Sequence, residues 1–289
     1  MKTLFLVLAM LAAALPAYAE GDRLTPLAAL NDADHKRVVS EAIGRPFHIH
    51  VRPPLNYEET EQLYPTVYLL DGDVLFPLLG AYHVLLNIDT NVPDAIIVGI
   101  SYGGFGAENG NYRSADYTVP PFPDDYLAGL PGSDGAPAFH AFLKDEVIPH
   151  IEKTYRADPE RRILVGQSRG GHFALYSAMA DPDLFWGRIA SNPPLSPNRD
   201  FFLRDIAPSA QMGSSLFVSS AERDFPKIRQ DAIDLFAHFK SQDALPWRLK
   251  TTTVAGETHA AGIVNVYRAG MRWLFPTSEA TPSESGDNH

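Results

Sequence analysis

The chain has 289 residues, of which 45% are hydrophobic and 20% charged, a composition typical of a globular protein with a sizeable core. It contains no cysteine, which excludes disulfide bonds, thiolate catalysis and cysteine-ligated zinc sites. Its formal net charge of -11 makes nucleic acid and anionic membranes poor partners because the long-range field repels both, although a local basic patch could still bind an anionic substrate.

The first segment, residues 1–19, has the features of a secretory signal peptide. Lys2 supplies a positive charge, residues 4–15 form an almost unbroken apolar run, and a small-x-small pattern ends at Ala19. The apolar run is too short to cross a bilayer core of about 30 Å as a helix. We therefore predict cleavage after Ala19 and export to the periplasm or the medium, with no stable insertion into a membrane.

Residues 20–276 are predicted to form one α/β domain that begins with a polar arm at 20–45. Short apolar runs then predict strands, and longer segments with helical periodicity predict helices. The predicted strands are 47–51, 66–70, 95–100, 162–165, 186–191, 216–218 and 247–254, and the predicted helices are 74–86, 139–155, 171–180, 227–241 and 263–275. This alternation is typical of a mostly parallel, doubly wound sheet with helices on both faces. The Ser/Thr/Pro-rich tail at 277–289 is predicted to be disordered.

The segment 101–138 interrupts this alternation. It is rich in glycine and proline and also holds aromatic residues, namely Tyr102, Phe105, Tyr112, Tyr117, Phe122 and Tyr126. A long stretch without regular structure inside a compact domain is usually functional, which favours a lid or a pocket wall. The alternative is that these aromatic side chains pack onto the body of the domain.

The pentapeptide Gly166-Gln167-Ser168-Arg169-Gly170 lies between a predicted strand and a predicted helix. In that context Gly-x-Ser-x-Gly indicates a nucleophile elbow, a sharp turn that presents the serine at its tip. The helix that follows favours negative charge developing above its N-terminus. We therefore predict that Ser168 is a catalytic nucleophile; the alternative is a glycine-rich connection with an inert serine.

A serine hydroxyl is a weak nucleophile and needs an adjacent base. In α/β hydrolases the triad follows the chain order serine, acid, histidine, so the base should lie near the C-terminus. His259 follows the last predicted strand and precedes the last predicted helix. His172 and His238 lie within predicted helices, so we predict that His259 is the base.

The acid is expected after the preceding strand, in the loop 219–224. This loop offers two carboxylates, Glu222 and Asp224. Asp224 lies three residues beyond Ala221, a position where such loops often have Gly-x-x-Asp. We favour Asp224 as the group that orients the imidazole, and Glu222 remains the rival.

The tetrahedral intermediate of acyl transfer needs backbone N–H donors for its oxyanion. One donor is the amide after the nucleophile, which belongs to Arg169. The second should come from the turn after an early strand, and we place it at the amide of Asp73. The carboxylate of Asp73 must then point away from the oxyanion.

The segments around these residues resemble the esterase family within the α/β-hydrolase superfamily. The resemblance spans residues 45–275 and rests on Tyr68-Leu69-Leu70-Asp71-Gly72-Asp73, on Asp116-Tyr117-Thr118-Val119-Pro120, and on the segment 142–156 that leads into the elbow. That family includes esterases of trilactone catecholate siderophores, feruloyl esterases, S-formylglutathione hydrolases and, more distantly, mycolyltransferases.

The resemblance implies a serine esterase that forms a covalent acyl-enzyme, uses no metal or cofactor, and acts on small-molecule esters, with siderophore-type lactones as the best-defined class. An arginine helps to stabilise the oxyanion in siderophore esterases, and Arg113 is its counterpart; a salt bridge with Asp116 is the alternative role. Asp71 and Gln167 are expected to bind substrate beside it. Gln167 and Arg169 also differ from the residues that relatives often have in the elbow, which leaves the substrate open.

Two other functions are compatible with the same residues. An acyltransferase would pass the acyl group to an alcohol instead of water, and the aromatic segment 101–138 could favour this by excluding water. A binding protein without catalysis is the other alternative, although the complete order of serine, acid and histidine argues against it. A ferric tris-catecholate is anionic, so this acidic protein would need a local cationic pocket to bind one. The candidate arginines for that pocket are Arg113, Arg169, Arg199 and Arg204.

Overall fold

The computed structural model describes residues 33–104, 112–122, 134–206 and 213–276, so the predicted signal peptide and C-terminal tail lie outside the described residues. The strands are β1 (Asp34–Val39), β2 (Pro46–Arg52), β3 (Tyr64–Leu69), β4 (Ile96–Ser101), β5 (Ala157–Gln167), β6 (Gly187–Ser191), β7 (Ser214–Arg223) and β8 (Trp247–Thr258). The helices are α1 (Gly72–Asp89), α2 (Arg113–Asp116), α3 (Ala136–Ala141), α4 (Ile148–Thr154), α5 (Arg169–Ala180), α6 (Arg199–Phe202), α7 (Pro226–Ser241) and α8 (Ile263–Leu274), and a 3₁₀ turn spans Tyr57–Glu59.

The eight strands form one sheet in the order β1-β2-β4-β3-β5-β6-β7-β8. β2 pairs antiparallel with β1 and β4, and the strands from β4 to β8 in that order are parallel. The predicted fold class, a mostly parallel doubly wound sheet, is therefore confirmed. Because the carboxyl ends of parallel strands meet at one edge of a sheet, the residues that follow β3, β5, β6, β7 and β8 lie along the same edge.

Apolar side chains cover both faces of the sheet because alternate residues of each strand point to opposite sides. In β3, Val67 faces the layer formed by α1 and α8, whereas Tyr68 faces the layer that contains α3, α4, α5 and α7. Helices on both faces explain why the central strands are continuous apolar runs rather than alternating ones.

The predicted polar arm at 20–45 is wrong for Asp34–Val39, which forms the edge strand β1. Its sequence, Asp-His-Lys-Arg-Val-Val, gives no apolar signal because almost the whole strand is exposed. Backbone pairing with β2, from Asp34 opposite Val51 to Val39 opposite Pro46, holds it in place. Charged side chains on an edge strand also oppose pairing with other chains.

The segment 101–138 is only partly described, and Phe105 and Tyr126 lie outside the described residues. Within the described part, Tyr102 and Tyr117 are buried in the core. Their rings pack with those of Phe47 and Phe139, 5.3 and 4.9 Å apart between centroids. At these two positions the aromatic residues pack onto the body, as the alternative to a lid predicted.

The predicted helix 139–155 is present but contains a π-helical segment, Phe142–Val147, between α3 and α4. Pro149 is the second residue after this segment and has no N–H to donate to the carbonyl of Asp145, so regular α-helical bonding cannot continue through it. None of the helices in the described ranges combines the length and apolarity needed to cross a membrane.

Candidate active site

The nucleophile elbow forms where β5 meets α5. Ser168 is the first residue after β5 and has a φ of +56°, a value that side-chain-bearing residues rarely adopt. A Cβ at Gly166 would overlap the carbonyl of Gly170, and one at Gly171 would lie 2.7 Å from the carbonyl oxygen of Ser191. Glycine is therefore required on both sides of the turn, and the Ser168 amide anchors the turn by donating to Ser191, 2.8 Å away.

His259 lies between the serine and a carboxylate. Its Nε2 is 2.8 Å from Ser168 Oγ, and its Nδ1 is 2.8 Å from Asp224 Oδ1. The carboxylate can only accept at Nδ1, so the neutral ring carries its proton there and leaves Nε2 to accept from the serine hydroxyl. The side chain of Asp224 is buried, and the Phe225 amide donates a second hydrogen bond to Oδ1 at 2.7 Å. The three predicted residues are thus within hydrogen-bonding distance of each other in the order serine, histidine, acid.

Glu222, the rival acid, has a different partner. Its carboxylate accepts a hydrogen bond from the amide of Gly256 at 2.7 Å. This bond joins the exposed ends of β7 and β8. The structure therefore brings Asp224, and not Glu222, to the imidazole.

The predicted oxyanion donors belong to the first turns of two helices, where N–H groups have no partner within the helix. Arg169 opens α5 and Asp73 is the second residue of α1. The Asp73 carboxylate accepts hydrogen bonds from the amides of Tyr102 at 2.8 Å and Gly103 at 3.0 Å. Those bonds hold the carboxylate against the loop that follows β4, and the oxyanion role of the Asp73 amide stays a prediction.

Arg113 makes a bidentate salt bridge with Asp71, with distances of 2.5 Å from Nε to Oδ1 and 2.7 Å from Nη2 to Oδ2. Burial disfavours the guanidinium charge, but the hydrogen bonds and negative charge of Asp71 outweigh it and raise the pKa of Arg113. Arg113 is therefore a cation whose charge is offset by Asp71. Asp116, the partner that the sequence offered as the alternative, binds Arg45 and the Tyr102 hydroxyl.

The family model described as "Putative esterase" matches residues 40–261. The chain belongs to this family. It is 31% identical to the ferri-bacillibactin esterase BesA of Bacillus subtilis over 172 residues, and the aligned region covers 56% of this chain and 58% of BesA. It is 30% identical to a siderophore triacetylfusarinine C esterase of Aspergillus fumigatus over 180 residues, and the aligned region covers 60% of this chain and 59% of that protein. The matches therefore span less than two thirds of each relative.

A solved structure has the same fold as this esterase-family chain. The BES protein from Bacillus cereus superposes with a TM-score of 0.72 at 24% identity, covering 84% of this chain and 96% of that chain. Within the described part of the chain, no cluster of three or more His, Asp or Glu side chains is arranged to hold a metal ion.

A cavity of about 520 Å³ opens beside the elbow of this esterase-family chain. Its apolar lining comes from α1, from the loop after His259 and from the first residue of α8, namely Val74, Leu75, Leu78, Ala260, Ala261 and Ile263. Its polar lining consists of Asp71, Asp73, Arg113 and Gln167, so the residues predicted to bind substrate share one cavity. Gln167 also donates from Nε2 to the carbonyl oxygen of His259, 2.5 Å away, which ties the cavity wall to the loop of the base.

The candidate arginines for a cationic pocket are engaged with separate partners. Arg199 pairs with Asp231 at 2.7 Å and Asp234 at 2.5 Å, which neutralise its charge. Arg169 Nη1 donates to the Ser196 carbonyl at 2.6 Å, and the Arg204 guanidinium lies 4.2 Å from the centroid of the Phe201 ring. Of these four arginines, only Arg113 is among the described residues that line the cavity.

Asn192 is a buried side chain at the site that sequence reasoning missed. It is the first residue after β6, as Ser168, Asp224 and His259 are the first residues after β5, β7 and β8. Its Nδ2 donates to the carbonyl of His259 and its Oδ1 accepts from the amide of Ala221, both at 2.7 Å. The sequence did contain a signal for this position, because an asparagine directly follows the predicted strand 186–191. Asparagine tolerates the positive φ, here +48°, that a sharp turn after a strand can require.

Proposed function

We propose that this chain is an exported serine hydrolase that cleaves carboxylic esters through an acyl-enzyme, acting on siderophore-type lactones or related acyl and aryl esters. The proposal rests on the position of the His259 ring, whose Nε2 lies 2.8 Å from Ser168 Oγ and whose Nδ1 lies 2.8 Å from Asp224 Oδ1. Membership of the esterase family and the siderophore esters in the names of two relatives favour the same chemistry. Export is supported by the sequence of residues 1–19.

In the acylation step, Ser168 Oγ attacks the ester carbonyl while His259 Nε2 takes the hydroxyl proton. The imidazolium that forms keeps its Nδ1–H on Asp224, whose negative charge stabilises it. The backbone amides of Arg169 and Asp73 bind the oxyanion of the tetrahedral intermediate. His259 then returns the proton to the leaving alkoxide, which departs as an alcohol and leaves the acyl group on Ser168.

In the deacylation step, water takes the place of the alcohol. His259 Nε2 removes a proton from the water, and the resulting hydroxide attacks the acyl-enzyme. Collapse of the second intermediate releases the carboxylic acid, and His259 returns its proton to Ser168 Oγ. Both steps use the same three side chains, and the complete cycle consumes one water for each ester bond cleaved.

We expect a p-nitrophenyl ester of a short acid to show a burst of p-nitrophenol followed by steady turnover. Ser168→Ala and His259→Ala should each lower kcat by a factor on the order of 10⁴ or more, because each removes a group that reacts directly. His238→Ala is the matched control and should keep wild-type turnover. His238 lies on α7, and its ring bonds the carbonyl of Arg204.

Wild-type turnover in both Ser168→Ala and His259→Ala would exclude the proposed triad. Adding an alcohol acceptor and analysing the products separates hydrolysis from acyl transfer, since a transferase would form a new ester in place of the acid.

A further inference from the structure

The cavity beside the elbow presents uncovered apolar side chains on α1. Val74 and Leu78 line it and remain 40% and 43% exposed. Ala260 and Ile263 face them from the other side of the cavity. Because Gln167 lines the same cavity and donates to the His259 carbonyl, a group held there is adjacent to the scissile ester. A concave apolar wall with few polar groups is the usual form of a small-molecule site.

The charged groups that line this cavity are two carboxylates and one guanidinium. Arg113 is held in a bidentate salt bridge by Asp71, so its charge is offset within the cavity. Asp73 is held by the amides of Tyr102 and Gly103, which donate hydrogen bonds but carry no net charge. The lining therefore has a net negative charge.

Three internal segments lie outside the described residues, namely 105–111, 123–133 and 207–212. Their sequences contain no lysine or arginine.

From this cavity we infer the class of substrate: the group of the ester that enters it is uncharged and apolar, and polyanionic esters such as ferric tris-catecholates are poor substrates. The inference rests on the proposed hydrolase function and defines its substrate. An anionic group placed against Val74 and Leu78 would lose hydration without gaining a cationic partner. An alkyl group or a neutral metal chelate would bury the same apolar surface without that penalty.

Three esters test this inference in the purified chain. p-Nitrophenyl hexanoate is uncharged, p-nitrophenyl adipate carries a carboxylate on its acyl part, and 4-carboxyphenyl hexanoate carries one on its alcohol part. Each kcat/KM is divided by the rate constant for alkaline hydrolysis of the same ester, because 4-carboxyphenolate is a poorer leaving group than p-nitrophenolate. On this scale we expect the hexanoate to exceed, by about tenfold or more, the anionic ester that places its charge in the cavity. In a series of p-nitrophenyl esters, each added methylene that enters the cavity should raise kcat/KM about fourfold.

Leu78→Lys places a cation in the cavity wall. It should raise kcat/KM about tenfold for one of the two anionic esters, lower it for the uncharged hexanoate, and lose the gain at high salt. Leu85→Lys is the matched control, because Leu85 is an exposed leucine on the same helix and is not among the described residues that line the cavity. It should leave the kcat/KM of all three esters unchanged.

The outcomes separate the two proposals. If the wild-type protein cleaves none of the three esters, the hydrolase function itself fails. If it cleaves the hexanoate but accepts both anionic esters equally well, or if Leu78→Lys improves neither anionic ester beyond Leu85→Lys, hydrolysis stands and the inferred substrate class is overturned. Efficient cleavage of a ferric tris-catecholate lactone by the wild-type protein would overturn it as well.

Discussion

At the scale of single residues, Asp224 and Glu222 show how neighbouring carboxylates acquire different roles. Asp224 is the first residue after β7, and its buried carboxylate accepts from His259 Nδ1 and from the Phe225 amide. Glu222 lies inside β7, is exposed, and accepts from Gly256. Only the first arrangement fixes the tautomer of the imidazole.

We predict that Asp224→Asn lowers kcat by a factor on the order of 10³ to 10⁴, because an amide can donate to Nδ1 and thereby stabilise the wrong tautomer of His259. Glu222→Gln keeps an acceptor for the Gly256 amide and should change kcat less than about threefold. Steady-state hydrolysis of p-nitrophenyl hexanoate measures both. A larger loss in Glu222→Gln than in Asp224→Asn would exchange the two roles.

Sequence reasoning could propose Ser168, Asp224 and His259 because their chain order and their positions after strands are local features. It could not propose the pair of Arg113 with Asp71, since that contact depends on how the loop after β4 folds back over the turn after β3. The resemblance implied that Arg113 helps to stabilise the oxyanion, with a salt bridge to Asp116 as the alternative, and the structure pairs Arg113 with Asp71.

At the scale of secondary-structure elements, Asn192 connects three neighbouring strands at the edge that carries the site. Its backbone belongs to the end of β6, and its amide donates to the carbonyl of Ser219 on β7 at 3.0 Å. Its side chain bonds Ala221, three residues before Asp224, and the carbonyl of His259 after β8. The buried side chain of Asn192 therefore helps to set the separation of Asp224 and His259, together with the pairing of β7 with β8 and the bond from Gln167 to the His259 carbonyl.

We predict that Asn192→Gly lowers kcat about 10- to 100-fold while KM changes less than twofold. Glycine adopts a φ of +48° without strain, so this variant removes the two side-chain bonds and keeps the turn. Without them the imidazole moves relative to Ser168, and displacements of about 1 Å cost on the order of 100-fold in rate. Steady-state kinetics with p-nitrophenyl hexanoate separates the two constants.

The control for this prediction is Asn87→Ala on α1, which also removes an amide bond to a backbone carbonyl, that of Val92 at 3.2 Å. It should lower stability slightly and leave kcat unchanged. Equal kcat values in Asn192→Gly and wild type would show that Asn192 serves folding alone.

Strand boundaries show what local patterns cannot supply. The apolar cores of β3, β4 and β5 were predicted because each is buried on both faces. The exposed last residues of β7 and β8, up to Arg223 and Thr258, were not predicted, since their pairing with each other gives no apolar signal. Those ends matter most for the site, because they place Asp224 and His259.

At the scale of the whole molecule, two buried histidines link folding to pH. His83 Nε2 donates to the carbonyl of Pro93 at 3.1 Å, and its Nδ1 accepts from the Tyr267 hydroxyl at 2.8 Å. His172 Nδ1 donates to the carbonyl of Pro194 at 2.8 Å, and its Nε2 accepts from the amide of Val119 at 3.2 Å. The His172 pattern requires a neutral ring, because the Val119 amide can only donate. The Tyr267 hydroxyl can donate or accept, and it donates to the neutral ring of His83.

Burial lowers the pKa of His83 to about 4 and, with the nearby charge of Arg169, that of His172 to about 3. In the unfolded chain both rings titrate near the ordinary value of about 6.5. Between these values the unfolded chain binds protons that the folded protein does not, so stability is complete above pH 6.5 and declines as the pH falls. Each histidine should remove about 2 kcal/mol from the free energy of unfolding between pH 7 and pH 5.

His83→Gln tests this linkage by removing one titrating group. We predict that the loss of unfolding free energy between pH 7 and pH 5, measured by urea denaturation with tryptophan fluorescence, becomes smaller by about 2 kcal/mol than in the wild type. Measurements at pH 8, where both histidines are neutral in either state, isolate the cost of the altered hydrogen bonds. An unchanged pH dependence would mean that His83 takes up its proton at the same pH in the folded protein as in the unfolded chain, and that the bond from the Tyr267 hydroxyl does not keep the ring neutral.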